Sequence, residues 1–130
     1  MEENAPRWTN RLPWIDACAA LTAGVLMLLL RGVLSDFYGL SVRFITVIAL
    51  VNMAYSIPGF TLGRLRPRPR WLLHVLIAAN LSWTCICVLL ALRAPDTITF
   101  WGYGHILGEG AFVATLALFE WRHRRAILAR

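Results

Sequence analysis

Four long apolar runs are the feature that most constrains how this chain folds. They cover residues 13–31, 40–62, 71–92 and 98–121, and each has the length of roughly 17 to 25 residues that a helix needs to cross a bilayer. Because 58% of the 130 residues are hydrophobic and 15% are charged, the chain lacks the polar surface of a water-soluble domain. A spanning backbone must satisfy its own hydrogen bonds, as a helix does. The sequence therefore predicts an all-α integral membrane protein, a four-transmembrane-helix antiparallel bundle.

The four runs form a single predicted domain between two tails. We expect residues 1–12 to form an N-terminal tail, residues 13–121 a transmembrane domain and residues 122–130 a basic C-terminal tail. Arg7 and Arg11 precede the first run, as cationic residues precede the apolar core of a secretory signal. The run is longer than such a core, so we expect it to remain as a membrane anchor.

Positive charges lie mostly on one side of the predicted bundle. All thirteen cationic side chains are arginines, and ten of them fall in the two tails and the second connection. Cytoplasmic segments carry such an excess, so we expect a multi-pass protein of the cell inner membrane with both termini in the cytoplasm. The ten residues are Arg7, Arg11, Arg64, Arg66, Arg68, Arg70, Arg122, Arg124, Arg125 and Arg130.

The second connection alternates arginine with proline. A formal charge of +6 can indicate nucleic-acid binding, but here the arginines flank membrane spans, where anionic lipid is the expected counter-charge. A docking site for a protein or for a phosphoinositide-like headgroup is the alternative. The predicted headgroup contacts are Arg64, Arg66, Arg68 and Arg70.

Small residues at helical spacing predict which helix faces meet. In the last run, Gly104, Gly108, Ala111 and Thr115 share one side. Small side chains let helix backbones approach closely, so we expect such stripes to face one another inside the bundle. Four short helices enclose little interior, and the Gly104-x-x-x-Gly108 pair also predicts a homo-oligomer.

One carboxyl group lies near the middle of the last run, where lipid would surround it. An intramembrane acid is a candidate functional residue, so Glu109 leads the set. A rise of about 1.5 Å per residue places Asn52 and Asn80 at its level, near the bilayer midplane. By the same rise, His105 lies about 6 Å further outward and Arg43 lies beyond it. The sequence thus predicts one polar cluster built from three helices.

Such a cluster has the groups needed to take up and release a proton. A carboxylate stays ionised in hydrocarbon only when a cation or several donors hold it. We therefore expect a ligand- or proton-binding site in a proton-coupled transporter or a permeation pathway for a small solute or ion. In this hypothesis Glu109 is the acid, His105 its proton partner, Asn52 and Asn80 are positioning donors, and Arg43 is an outer gate.

Two other functions fit the same residues. Polar contacts can simply hold helices together, as in a non-catalytic structural or accessory membrane subunit. The bundle could also bind a lipid or a quinone. We expect no enzyme, because no activated nucleophile is visible. We also expect no cofactor or metal, since an ion between His105 and Glu109 would need an asparagine as its third ligand.

Two further acids lie near the predicted cytoplasmic interface and are assigned structural roles. Asp16 is expected to cap the N-terminus of the first helix or to pair with Arg122. Glu120 is expected to pair with Arg124, four residues further along the same helix.

In length, number of helices and a single central carboxyl group, the chain is similar to the small multidrug resistance transporters. That family carries its essential glutamate in the first helix, where this chain has Asp16 near the end. The resemblance therefore implies an architecture, and no drug-binding residue is carried over from it.

Overall fold

The computed structural model describes residues 7–129 of the chain, and within this range it is helical without strands. Residues 1–6 and Arg130, which belong to the predicted tails, lie outside the described part. A short 3-10 helix, Arg7–Arg11, comes first. Six α-helices follow, and they are α1 (Leu12–Leu29), α2 (Arg31–Tyr38), α3 (Val42–Arg64), α4 (Arg70–Leu92), α5 (Phe100–Arg122) and α6 (Arg124–Leu128).

Three helical stretches are long and apolar enough to cross a membrane, namely Arg7–Leu29, Val42–Arg64 and Arg70–Leu92. Large apolar side chains cover much of their outer surface, as in α4, where Leu92 is 77% exposed. Helix α5 has the same 23-residue length as α3 and α4 but is not among the three. The predicted all-helical fold is confirmed for the described residues, whereas the predicted count of four spans is not.

The boundaries of the long helices lie within two residues of the predicted runs, and the first connection contains an additional helix. Helix α2 ends at Gly39, whose φ of +66° suits glycine. A Cβ atom there would lie 1.8 Å from the carbonyl oxygen of Thr97. The α2 end is thus fixed against the connection before α5, where the backbone N–H of Thr99 donates to Tyr38 O at 2.9 Å.

The long helices form two closely packed pairs. Helix α1 packs mainly on α3, and α4 packs mainly on α5, whereas contacts between the pairs are sparse. Glycine allows the close approach in both pairs. A Cβ atom on Gly59 would lie 2.9 Å from Ala17 Cβ, and one on Gly110 would lie 2.9 Å from Cys87 Cβ.

The predicted small-residue face of the last run does not point into the bundle. Gly104 and Gly108 are exposed, and a Cβ atom added to either would meet nothing within 4 Å in the described structure. The buried face of α5 instead carries Gly102, Ile106, Gly110, Leu116, Ala117 and Glu120. Helix α5 therefore has small residues on two faces. The face that packs inside the bundle combines Gly102 and Gly110 with larger apolar side chains such as Ile106 and Leu116.

The second connection holds one buried arginine. Arg68 is 4% exposed and donates to three backbone carbonyl groups, those of Leu62, Ile127 and Asn10, at 3.0 to 3.2 Å. Burial lowers the pKa of Arg68, and the charge of Arg66 lowers it further. The predicted lipid contact at Arg68 is therefore wrong for this residue, because its guanidinium group joins the chain ends to α3.

Candidate functional site

Two clusters of polar side chains lie between the helix pairs, and the first is centred on Glu109 of α5. Its Oε1 atom accepts hydrogen bonds from Asn52 Nδ2 on α3 and from Trp83 Nε1 on α4, both at 2.9 Å. Together with His105, these residues are called the Glu109 site below. Because Asn52 and Trp83 belong to different helix pairs, the carboxylate connects the two halves of the bundle.

The second oxygen of Glu109 faces an imidazole ring. His105 Nε2 lies 3.4 Å from Glu109 Oε2, one helical turn away, and it has no hydrogen-bond partner among the described residues. On its other side, His105 Nδ1 shares a hydrogen bond with the hydroxyl group of Tyr38 at 3.2 Å. Burial, and then the nearby charge of Glu109, raises the pKa of Tyr38. A chain of titratable groups thus leads from α2 to the carboxylate.

The second cluster of polar side chains is centred on Asp16 of α1. Asp16 Oδ2 accepts from Tyr55 Oη on α3 at 2.8 Å and from Asn80 Nδ2 on α4 at 3.1 Å. The same Asn80 nitrogen lies 3.4 Å from Oε2 of Glu120 on α5. Asp16, Asn80 and Glu120 are 2%, 1% and 0% exposed. Asp16, Tyr55, Asn80 and Glu120 are together called the Asp16 site below.

The structure brings together Glu109, Asn52 and His105 but gives Asn80 different partners from the predicted ones. Asn80 precedes Trp83 by three residues on α4, which is about 4.5 Å along the helix, and its amide group reaches the Asp16 site. Arg43, predicted as an outer gate, is exposed on α3 and forms no hydrogen bond or ion pair with the described residues. The depth estimate from sequence was therefore inaccurate by about one helical turn for Asn80.

The structural roles predicted for Asp16 and Glu120 differ from their observed contacts. Neither forms an ion pair with a described arginine. Arg124 instead lies over the ring of Trp121, with its Cζ atom 4.3 Å from the ring centroid, and donates to the Trp121 carbonyl oxygen at 2.7 Å. Both acids point into the bundle because the 3-10 helix, Arg68 and α6 extend the packed interior beyond them.

Sequence reasoning missed the three aromatic donors, Tyr38, Tyr55 and Trp83. Tyr55 and Trp83 each follow an asparagine by three residues, Asn52 on α3 and Asn80 on α4. This spacing places each aromatic donor on the same helix face as the asparagine, one turn away. The repeated spacing was the available signal for two of the three.

The two sites are related by an approximate twofold arrangement of their donors. Each carboxylate accepts one hydrogen bond from an aromatic side chain within its own helix pair, Tyr55 for Asp16 and Trp83 for Glu109. Each also accepts one from an asparagine of the other pair. On α3, Asn52 of the Glu109 site precedes Tyr55 of the Asp16 site. On α4, Asn80 of the Asp16 site precedes Trp83 of the Glu109 site. Helices α3 and α4 are therefore antiparallel.

A cavity of about 270 Å³ lies between the helix pairs and touches both sites. Asp16, Tyr55 and Asn80 border it on one side, and Asn52, Trp83 and Glu109 on the other. The wall between them is mostly apolar. It includes Ala19, Ala20, Ala23, Val51, Ala79, Ile86, Phe112 and Val113.

The interior is rich in acid and poor in cations. Glu109 faces His105, whose contact is the only ion pair formed within residues 7–129, and neither Asp16 nor Glu120 has a cationic partner there. In the same range, no three His, Cys, Asp or Glu side chains are arranged to hold a metal ion. The cavity is therefore suited to a positively charged ligand or to protons.

No protein-family model, curated protein or solved structure matches the chain. Within residues 7–129 the fold is all-helical, with three helices long and apolar enough to cross a membrane. Its function has to be inferred from the geometry of the two sites and the cavity.

Proposed function

We propose that the chain is a small membrane transporter whose central cavity binds a small cationic solute against Glu109 in exchange for a proton. The observation that carries the proposal is the position of the Glu109 carboxylate. It borders the cavity and accepts hydrogen bonds from both helix pairs, at 2.9 Å from each donor. A group that binds the solute would therefore also contact both halves of the bundle.

The cavity wall supports a ligand that is apolar apart from its charge. Ligand sites are usually apolar with a few polar groups that fix orientation, and here Ile86, Phe112 and Val113 line the same cavity as Glu109. The ring of Trp83 adds a face that attracts cations. At about 270 Å³, the cavity is smaller than the usual range of drug sites, so we expect a compact organic cation.

Exchange of solute for proton follows from competition for one carboxylate. A solute cation and a proton each neutralise Glu109, and the two would not bind it together. His105, 3.4 Å away, can accept the proton that Glu109 releases, and Tyr38 holds the other imidazole nitrogen. We assign His105 the role of proton partner and Tyr38 that of a positioning residue.

Movement of the helix pairs would open the cavity to alternate sides. The pairs touch each other sparsely, and the side-chain contacts across the cavity include Asn52 to Glu109 and Asn80 to Asp16. Transporters commonly bind substrate near the midplane between two units that rock against each other. A solute that replaces Asn52 as the partner of Glu109 would remove a hydrogen bond that joins the two helix pairs.

The proposal includes a topology. We propose that α5, which has the same 23-residue length as α3 and α4, is the fourth span and that it supplies Glu109 to the cavity. The arginine distribution supports an inner-membrane location with both termini in the cytoplasm. Anionic lipid would bind at Arg64, Arg66 and Arg70, which point away from the interior more than Arg68 does. The exposed Gly104 and Gly108 would form the contact of a homo-oligomer.

A structural role is the second candidate. The hydrogen bonds from Asn52 and Asn80 join the helix pairs where apolar packing is sparse, as expected for an accessory subunit whose polar groups only hold helices together. A third use of the apolar cavity would be a bound lipid or quinone. In all three cases binding, and not catalysis, is what we propose for these residues.

The test is proton movement driven by a cationic probe. The purified full-length protein is placed in lipid vesicles that contain a pH-sensitive dye, and benzyltrimethylammonium is added outside. We expect the probe to drive a change of internal pH with the wild type and none with Glu109→Gln. Asp96→Asn, which neutralises an exposed carboxyl group in the connection before α5, is the matched control and should behave as the wild type.

The outcomes separate the candidates. If Glu109→Gln is folded and transports the probe normally, the transport proposal is wrong. If neither protein responds and Glu109→Gln only lowers thermal stability, the structural role is supported instead. A lipid or quinone that co-purifies with the wild type and is lost from Glu109→Gln would support the third use of the cavity.

A further inference from the structure

The Asp16 site places two carboxyl groups around one amide nitrogen. Asn80 Nδ2 lies 3.1 Å from Asp16 Oδ2 and 3.4 Å from Glu120 Oε2. The acids come from α1 and α5, which belong to different helix pairs. Their side chains are 2% and 0% exposed, so water does not separate their charges as it would at a surface.

No cation balances these acids within the described residues. The titratable group that faces them from α3 is Tyr55, which donates to Asp16, and α4 contributes only the neutral Asn80. His74 on α4 lies against Trp121, with ring centroids 6.3 Å apart. Arg68, the buried arginine, is bound to three carbonyl groups instead. Two carboxyl groups this close in an apolar interior do not both ionise without a cation.

The hydrogen-bond donors are unequally divided between the two acids, and this favours the ionised form at Asp16. Asp16 accepts from both Tyr55 and Asn80, which stabilises the ionised form. Glu120 accepts one contact at 3.4 Å through Oε2, and its buried Oε1 has no partner among the described residues. An ionised Glu120 would be a buried charge with one long hydrogen bond and no cationic partner among the described residues, which is costly.

We propose that Asp16 and Glu120 form a second proton-binding site, in which Glu120 holds a proton at neutral pH and Asp16 is ionised. The aromatic and amide donors fix the negative charge on Asp16, and the neutral carboxyl group of Glu120 accepts the amide of Asn80 without repelling it. This site is separate from Glu109 and lies on the opposite side of the cavity.

The second site also bears on transport, and this part rests on the proposed function. Asp16 and Asn80 border the cavity, so a solute cation at that side would supply the missing counter-charge. Glu120 could then ionise, and its proton would pass to water while the solute cation balances the new carboxylate. Solute arriving at this side would release a proton, in parallel with the exchange at Glu109.

Infrared spectroscopy of the purified full-length protein in vesicles tests the site without any solute. A protonated carboxyl group has its own carbonyl stretching band, which shifts in heavy water. At neutral pH we expect this band in the wild type and its loss in Glu120→Gln, whose neutral amide should leave the protein folded. Glu109→Gln is the matched control and should retain the band of Glu120.

A second variant covers the possibility that Glu120→Gln does not fold. Asp16→Asn removes the neighbouring negative charge but leaves Glu120 buried, so Glu120 should keep its band at neutral pH and lose it at a lower pH than in the wild type. Retention of the full band in folded Glu120→Gln, or an unchanged pH midpoint of the band in Asp16→Asn, would overturn the proposal. Failure of the transport assay alone would leave the proton site standing.

Discussion

The Glu109 and Asp16 sites have the same donors but different second neighbours. Each carboxylate accepts one hydrogen bond from an aromatic side chain and one from an asparagine of the other helix pair. Glu109 then faces an imidazole at 3.4 Å, whereas Asp16 shares Asn80 with a second carboxyl group. The second neighbour therefore differs in chemistry: at Glu109 it is a base that can take up a proton, and at Asp16 it is another acid.

Exposure separates the two sites as well. The side chains of His105 and Glu109 are 26% and 15% exposed, while Asp16 and Glu120 are almost fully enclosed. The Glu109 carboxylate is therefore less enclosed by the described part of the chain than that of Asp16. We expect a solute in the cavity to affect the enclosed Asp16 site through changes in the contacts of Asn80 and Asp16, which border the cavity.

Removal of the shared amide should have the largest effect. Asn80→Leu takes the donor from two buried carboxyl groups at once, and we expect a loss of about 2 to 4 kcal/mol in the free energy of unfolding. Asn52→Leu affects Glu109 alone, which keeps Trp83, and should cost about 1 to 2 kcal/mol. Unfolding in detergent measures both. Equal losses would show that Asn80 does not bridge two acids.

Close packing beside each site gives the next effect. Gly110→Ala would place a Cβ atom 2.9 Å from Cys87 Cβ, and such overpacking costs about 1 to 3 kcal/mol. Within one copy of the chain, Gly108→Ala, two residues away, meets open space and should change the unfolding free energy by less than about 0.5 kcal/mol; a larger loss is expected only where the proposed homo-oligomer forms. A large loss at Gly108 would indicate that this face is covered by another copy of the chain.

The aromatic donors should have a smaller effect. Tyr55→Phe removes the hydroxyl group that donates to Asp16 at 2.8 Å and retains the ring, so we expect a loss of about 1 kcal/mol. The infrared band assigned to Glu120 should persist, because Asp16 keeps Asn80 as a donor. A complete loss of that band in a folded Tyr55→Phe protein would contradict the assignment of the proton.

The smallest effect is expected at the outer end of the Glu109 site. Tyr38→Phe removes one hydrogen bond to His105 Nδ1 from a partly exposed position, and stability should fall by no more than about 0.5 kcal/mol. Probe-driven proton movement should slow, because the imidazole is less well oriented. An unchanged rate would show that Tyr38 has no positioning role.

Much of the fold followed from hydropathy alone. The ends of α1, α3, α4 and α5 lie within two residues of the apolar runs, because each run has to be helical along its length. Helix α2 was not predicted, since eight residues with mixed polarity give little signal and its end is fixed by contacts with the connection before α5.

The site was predicted in part. Counting residues gave the level of Glu109, Asn52 and His105, but the level of Asn80 differs by about one turn, and a turn is enough to change its partner. Asp16 and Glu120 were placed at an interface because the apolar runs end near them. In the structure, packed chain ends continue the interior past both residues.

Local composition and helical rise are enough to give the helical fold, the ends of the long helices and the position of Glu109 within an apolar run. Which faces meet, which donors reach each carboxylate and the sharing of Asn80 by two acids are features of the folded bundle only. Those features depend on the rotation of each helix about its own axis and on which helix it packs against. Local composition does not fix this rotation for α5, because small residues lie on two of its faces.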